Sequence, residues 1–505
     1  MLIDPDFKHF AQVYDEGRPQ VAWVRLVSDL ETPVSAMLKL SAAEANSFLL
    51  ESVEGGAVRG RYSIIGLKPD IIWRVEGNEA YINRTADADA SGPFAPCGPP
   101  LTSLRSLLAG SKIDLPEDLP PMAAGVFGYM GYDMVRLVEH LPDQNPDAIG
   151  VPDAIMIRPT IMAIFDAVKD EVTVITPVWP TLGIDAKTAY EQAEARIGRV
   201  IEALEAPLPH MPQTEDTAGT DIEPTSNTTP SDYMEMVTQV KDYIAAGDAF
   251  QIVIGQRFSR PFTLPPFSLY RSLRRINPSP FLYFLNFDGF SVVGSSPEIL
   301  VRARDGKVTI RPLAGTRPRG ATAAEDKALA DDLLADPKER AEHLMLLDLG
   351  RNDVGRVAKT GTVEVTDQYS VEYYSQVMHI VSQVEGELSD DHDAIDALFA
   401  GFPAGTVSGA PKVRAMEIID ELEHDKRGIY AGCVGYFSAN GDMDSCIVLR
   451  TAIVKDDVMY VQAGAGIVAD SDPKSEHVEC ENKAKALFRA AEDAVRFAGR
   501  SNSVK

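Results

Sequence analysis

Apolar and polar positions alternate with the period of a β-strand along much of the chain, and runs with a helical period interrupt that alternation at intervals. Behind a short polar helix, residues 21–28 and 33–40 read as two strands, and Ser41 with Glu44 reads as a capping box that opens a short helix through Phe48. Residues 71–83 suit a hairpin and 86–100 a loop of small residues and prolines. The Gly- and aromatic-rich run from Ala123 to Asp133 suits a strand packed close to other backbone. Two strands within 155–178 flank a turn at 166–170, and an Ala- and Glu-rich helix follows at 184–205.

From Pro207 to Pro230 the chain is Pro, Thr, Asp and Ser with almost nothing apolar, the composition of a linker or surface excursion. This divides the sequence into an N-terminal domain (1–206), a linker or surface loop (207–230) and a C-terminal domain (231–505). Met236, Val240, Tyr243 and Ile244 then mark a helical stripe closed by Gly247, followed by a strand from Phe250 to Ile254. Further strands are expected at 281–287, 291–303, 307–313, 362–366, 376–387, 430–438, 445–454 and 458–463, and helices at 323–334, 337–349, 392–400, 411–423 and 473–498. The turn pairs Asp305-Gly306, Asn440-Gly441 and Asp456-Asp457 point to antiparallel hairpins. No dinucleotide fingerprint, phosphate loop or internal repeat is present. The expected fold class is α+β, with large antiparallel sheets packed as a sandwich, helices on the outside, and two subdomains.

Candidate chemistry concentrates after the linker. Gly464-Ala465-Gly466 follows the β-rich stretch 458–462 and reads as a tight turn whose glycines let backbone approach a ligand. Asp472-Pro473 then supplies an N-cap and a proline at the first helical position, and Glu476, Glu479 and Lys483 share one face of the helix that follows. Asp336-Pro337 opens another helix in the same way, with Glu339 and Glu342 in its first turns. Each face is either solvated helix surface or half of a divalent-cation site. If the two helices converge, their carboxylates offer the all-oxygen ligation that suits Mg²⁺. Glu298, His379 and Arg450 sit inside apolar strands, where a polar residue is either an outward position or part of a site. The loop from Phe402 to Lys412 precedes a helix N-terminus suited to an anion, and Pro312 to Gly320 is a second loop of that kind. Glu51-Ser52 suits a small-amine binder or a plain loop.

Composition narrows the partners. The 505 residues are 45% hydrophobic and carry a formal net charge of −27. That charge argues against nucleic acid or an anionic membrane as partner, and an anionic substrate would have to be held by local Arg, Lys or metal. Cys97, Cys433, Cys446 and Cys480 show no Cys-x-x-Cys spacing, the N-terminus lacks a signal-peptide pattern, and no apolar run approaches the ~18 residues of a membrane span. A reduced, cytoplasmic protein is expected.

Together, the motifs from Gly247-Asp248 to Lys483 resemble the chorismate-utilising enzymes. The N-terminal half carries the Leu49-Leu50-Glu51-Ser52 and Arg61-Tyr62-Ser63 features with which such enzymes bind tryptophan. The resemblance implies a lyase acting on chorismate. Ammonia adds at ring C2 as the C4 hydroxyl leaves, then pyruvate is eliminated and the ring aromatises to anthranilate, the first committed step of tryptophan biosynthesis. It implies Mg²⁺ held by Glu339, Glu342, Glu476 and Glu479, gripping the ring carboxylate with Lys483 nearby. Glu298 becomes the general acid, a role that needs a carboxyl kept protonated by burial. His379 lies beside the ring and serves the elimination. Tyr430, Arg450 and the backbone of Gly464, Ala465 and Gly466 take the enolpyruvyl carboxylate, and Thr316 and Thr406 line the pocket.

Isochorismate- and salicylate-forming relatives place a lysine where this chain has Gln251, and aminodeoxychorismate-forming relatives place one where it has Ala314. Without either lysine, incoming ammonia is the consistent nucleophile. The resemblance also implies a separate glutamine amidotransferase subunit as ammonia source, and so a hetero-oligomer. Cys433, in Ala-Gly-Cys-Val-Gly, is only superficially like a glutaminase nucleophile. Tryptophan is implied as allosteric inhibitor at Glu51, Ser52, Pro280, Phe281, Leu282, Val434, Tyr436 and Cys446, bridging both halves of the chain. Phe281-Leu282 replaces a commoner Tyr-Met there, which bears on inhibitor potency.

Overall fold

The computed structural model describes residues 3–41, 44–54, 58–86, 89, 91–209, 222–374 and 377–500. Every strand pairing among them is antiparallel, in two sheets that share one long strand pair. The first sheet runs from Gln20–Val27 through Glu171–Val178, Ala154–Asp166, Val58–Glu76, Ser47–Glu54, Phe281–Phe287, Phe290–Ser296, Thr451–Lys455 and Val458–Ile467 to Gln251–Pro261. Between Pro69 and Ile71 the pairing of Val58–Glu76 with Ala154–Asp166 shifts register, which bends the pair into the second sheet. There Ala154–Asp166 pairs with Gly125–Met130, then Cys433–Ser438, Met443–Ile447, Ile299–Arg304, Lys307–Ile310 and Val377–Glu387 follow in order. Leu313–Pro318 and Glu364–Tyr373 flank Val377–Glu387 on either side.

The expected sandwich is what forms. Alternation places Tyr283 and Leu285 between the sheets, against Phe127, Tyr129 and Val434, while Leu282 and Phe284 of the same strand point outward under helices. Each such buried side chain contributes roughly 1.5–3 kcal/mol of burial. Helices Pro230–Ala246, Pro266–Ile276, Lys412–Leu422 and Pro473–Arg500 cover the first sheet, and Pro100–Ala109, Pro337–Gly355 and Ala394–Gly401 the second. The stretches on either side of the linker share strands: Ser47–Glu54 lies beside Phe281–Phe287, and Gly125–Met130 beside Cys433–Ser438. Of the linker, 210–221 falls outside the described residues. Thr225–Ser226 pairs with Phe258 and Ser259, and Thr229 caps Pro230–Ala246.

Several local expectations are corrected. Residues 33–40 are not a strand: Pro33–Ser41 is a helix, burying Pro33, Ala36, Met37 and Ser41. That helical spacing prevails over the period-two reading of Val34, Ala36, Leu38 and Leu40. The helix expected from Ser41 to Phe48 is not found among the described residues 44–48, since Ser47–Glu54 is a strand paired on both edges, and residues 42 and 43 lie outside the described residues. Gly464-Ala465-Gly466 is no turn, because the strand runs on to Ile467 and pairs with Ile252–Gly255. The supposed loop at 312–320 is largely the strand Leu313–Pro318.

Candidate active site

Glu298 lies in the short link between Phe290–Ser296 and Ile299–Arg304, buried at 6% exposure. The Thr406 hydroxyl donates to its carboxyl, 3.2 Å from each oxygen. Burial dominates the downward pull of Thr406, the Leu313 N–H and Arg450, and lifts Glu298 to about 8. The group therefore carries its proton at neutral pH.

His379 faces Thr316 across the strand pair Leu313–Pro318 and Val377–Glu387. Its Nδ1 stands 3.0 Å from Thr316 Oγ1 and 3.1 Å from Gly315 O. A carbonyl only accepts, so Nδ1 carries the proton and Nε2 is left with its lone pair. Burial depresses the imidazole to about 4, keeping it neutral.

Arg450, at φ +49°, has no ion-pair partner within 4.0 Å among the described residues, and burial is the main influence lowering its pKa. A desolvated guanidinium without a carboxylate favours an anionic ligand. It lines a cavity of about 720 Å³ with Tyr374, Glu479 and Lys483. Glu298 opens on a neighbouring cavity of about 680 Å³.

Close approach explains both glycines of the strand Val458–Ile467, by backbone at Gly464 and by the Gln251 side chain at Gly466. A Cβ on Gly466 would stand 2.4 Å from Gln251 Nε2; on Gly464 it would stand 2.8 Å from Ile254 O and 3.1 Å from the Tyr430 hydroxyl. Lys483 Nζ donates to Gly464 O at 2.8 Å and pairs with Glu479 at 2.9 Å.

The two glutamate-bearing helices face each other. Asp336 caps Pro337–Gly355, accepting from Lys338 N at 2.9 Å, and Asp472 accepts from Ser475 N at 2.9 Å at the start of Pro473–Arg500. Burial, then the charges of Glu339 and Glu479, raise Glu342, while the Gln251 amide pulls it down. Burial and Glu479 raise Glu476, and Lys338 of the opposite helix opposes them. Glu479 thus acts on Glu342 and Lys338 on Glu476 across the two helices, while among the described residues no three carboxylates form a ligand set. Glu339 also pairs with Arg317 at 3.2 Å. Four carboxylates repelling one another, all oxygen donors, suit a hard divalent cation.

Other expectations read differently in three dimensions. The loop from Phe402 to Lys412 serves Glu298 through Thr406, while Lys412 is bound by Asp353 at 2.9 Å and is unavailable to an anion. Burial pushes the Cys433 thiol up to about 12, far from a nucleophile's range. Ala314 is buried beside the site.

The residues expected to bind tryptophan are distributed. Glu51, Ser52 and Leu282 line a cavity of about 400 Å³, and Ser52, Pro280 and Phe281 the one reached by Glu298. Val434, Tyr436 and Cys446 are buried between the sheets, in the cluster that Phe281 packs against. Sequence reading missed what holds Glu51: Arg274 donates to it at 2.6 and 2.8 Å, and Tyr270 at 2.5 Å. Both lie on Pro266–Ile276, a helix not expected, although Phe267, Tyr270 and Leu273 carry its period behind Pro265-Pro266. Tyr374, Glu372 and Arg311, beside His379 and Glu298, also went unread.

Comparison with known proteins points the same way. A family described as chorismate binding enzyme matches residues 71–489. Anthranilate synthase component 1 from Cereibacter sphaeroides is 57% identical over 498 residues, covering 98% of this chain and 99% of the relative. Its counterpart from Pseudomonas putida is 48% identical, covering 92% and 93%. The crystal structure of anthranilate synthase component I from Streptococcus pneumoniae superposes with a TM-score of 0.76 at 39% identity, covering 92% of this chain and 99% of that one. Among the described residues no helix is long and apolar enough to cross a membrane.

Proposed function

The chain belongs to the chorismate binding enzyme family, and from that premise we propose that it converts chorismate and ammonia to anthranilate and pyruvate. The observation that carries this reading is Glu298, a buried acid poised at about 8 on a cavity next to the one lined by Arg450, which has no ion-pair partner among the described residues. Arg450, with Tyr430 and the Gly464–Gly466 backbone, takes the enolpyruvyl carboxylate. Glu298 gives its proton to the C4 hydroxyl as that group departs and ammonia bonds to C2. Neutral His379 then takes the C2 proton at Nε2 while the C3–O bond breaks, so the ring becomes aromatic and pyruvate leaves as its enolate, which takes up a proton at the methylene carbon from the imidazolium or water.

Glu339, Glu342, Glu476 and Glu479 would hold Mg²⁺, which when bound neutralises and orients the ring carboxylate. Gln251 and Ala314 have no group that could activate water or form an adduct, which favours amination over isochorismate or aminodeoxychorismate formation. A glutaminase subunit supplies ammonia, consistent with the buried Cys433. Tryptophan inhibits from the cavity beside Glu51 and Ser52, where the Arg274–Glu51 pair sets the charge. Ser52→Leu is expected to abolish tryptophan inhibition without loss of basal turnover; unchanged inhibition would place the inhibitor elsewhere.

The test is chorismate with Mg²⁺ and an ammonium salt at alkaline pH, followed by anthranilate fluorescence, with a chelator control and chromatography of products. Absence of anthranilate while chorismate is consumed would overturn the reading. Isochorismate or an aminodeoxychorismate product would reassign the chain within its family.

A further inference from the structure

No role above falls to Tyr374, yet the reacting groups surround it. It follows the strand Glu364–Tyr373, is buried at 8% exposure, and donates from its backbone N–H to Val377 O at 2.8 Å. Its hydroxyl donates to Glu372 Oε2 at 2.9 Å, and Arg311 takes the other oxygen of Glu372. The phenol is thus anchored to a charged pair and has little freedom to swing. Its ring centroid stands 5.4 Å from that of His379, with the planes at 66°, an edge-to-face contact.

Tyr374 is also the one residue, among those described, that lines both the cavity of about 720 Å³ containing Arg450 and the cavity of about 680 Å³ reached by Glu298. A tyrosine serving only as core filler would need neither the anchor nor two cavities at its faces. His379 is pinned at one edge, through Nδ1 to Thr316 and Gly315. One pinned atom fixes a position and leaves the ring free to tilt. The Tyr374 edge supplies the second support.

We infer that Tyr374 is a positioning residue: standing where the two cavities meet, it fixes the plane of the His379 imidazole so that Nε2 faces the aminated ring. This rests on the reaction proposed above. The lone pair at Nε2 must point at the C2 proton during elimination, and small misalignments of a base lower the rate steeply. The acid step at Glu298 makes no such demand on the imidazole plane, so loss of Tyr374 separates the two half-reactions.

The test compares Tyr374→Leu, which removes the aromatic edge, with Tyr374→Phe, which keeps the ring and loses the Glu372 anchor. Chorismate consumption and anthranilate formation are measured separately, with products resolved by chromatography. In Tyr374→Leu, consumption stays within about threefold of wild type while anthranilate formation falls about tenfold or more, the difference leaving as the non-aromatic aminated intermediate. Tyr374→Phe retains most anthranilate formation. Parallel loss of both rates in Tyr374→Leu would overturn the inference.

A second readout does not need turnover. In protein labelled with ¹⁵N-histidine, with His379 assigned through His379→Gln, the wild type shows sharp ring signals of the Nδ1-protonated tautomer, and Tyr374→Leu keeps that tautomer, which Gly315 O holds, but broadens the signals as the ring tilts. An unchanged His379 signal in Tyr374→Leu would equally overturn the inference. Should the wild type not consume chorismate, the reaction reading fails and the imidazole signal alone decides the role of Tyr374.

Discussion

The two ends of the candidate site are built on opposite principles. Around Glu298, His379 and Arg450, desolvation sets each group: a carboxyl lifted to about 8, an imidazole depressed to about 4, and a guanidinium without an ion-pair partner among the described residues. Thr406, Thr316 and Gly315 fix their positions before any ligand arrives. Around Glu339, Glu342, Glu476 and Glu479 the carboxylates are partly exposed, repel each other and are held by long side chains at Arg317 and Lys483. The first end is fixed by hydrogen bonds within the fold; the second is set by charge among side chains that reach toward solvent. Acid–base groups need fixed geometry and tuned protonation, whereas a hard-cation site can gather its ligands on binding.

Glu298→Gln tests that contrast most severely. Turnover is expected to fall about 10²–10⁴-fold, since the side chain keeps its shape and loses its proton. The same substitution should act oppositely on stability. The folded pKa of about 8 lies above the ordinary 4.5, so the folded wild type retains a proton that the unfolded chain releases between those values. Its stability contribution is full below the unfolded value and is lost as pH rises through about 8. Thermal melting of Glu298→Gln against wild type should therefore show a gain at pH 9 that is absent at pH 4. Equal offsets at both would mean that the wild-type carboxyl ionises normally.

The activity of the wild type with ammonium salts should rise with free ammonia and then fall as Glu298 ionises above about 8. A profile that only rises would exclude Glu298 as the acid. Arg450→Gln is expected to raise KM for chorismate about 10- to 100-fold, the loss of a charged hydrogen-bonded contact; a kcat effect alone would place Arg450 away from the carboxylate. At the other end, Glu342→Gln should raise the Mg²⁺ concentration for half-maximal activity about tenfold and slightly stabilise the metal-free chain by relieving repulsion. Titration calorimetry and melting without Mg²⁺ separate the two effects. Smallest of all, Cys433→Ala should leave ammonia-dependent activity unchanged, because burial holds the thiol near 12.

Much of this was legible in the sequence where periodicity and caps are local. Asp336-Pro337 and Asp472-Pro473 open their helices as expected, and Gly247 closes Pro230–Ala246 at φ +90°. What stayed hidden depends on partners far along the chain. Gly464 and Gly466 suggested a turn, but they are small because Tyr430 and Gln251 approach them inside a strand. Arg274 and Tyr270 lie on a helix whose start Pro266 and whose period Phe267, Tyr270 and Leu273 do signal, but nothing near Glu51 announces that its carboxylate is already bound. Protonation at Glu298 is likewise a property of burial, which no local pattern records.

Strand order carries one further consequence. Since Ser47–Glu54 sits against Phe281–Phe287 and Gly125–Met130 against Cys433–Ser438, a fragment starting after residue 230 would expose two bare rows of backbone amides and carbonyls. Such rows recruit stray strands, so the severed piece should clump in solution, and its separately expressed counterpart should rescue it by zipping back in place.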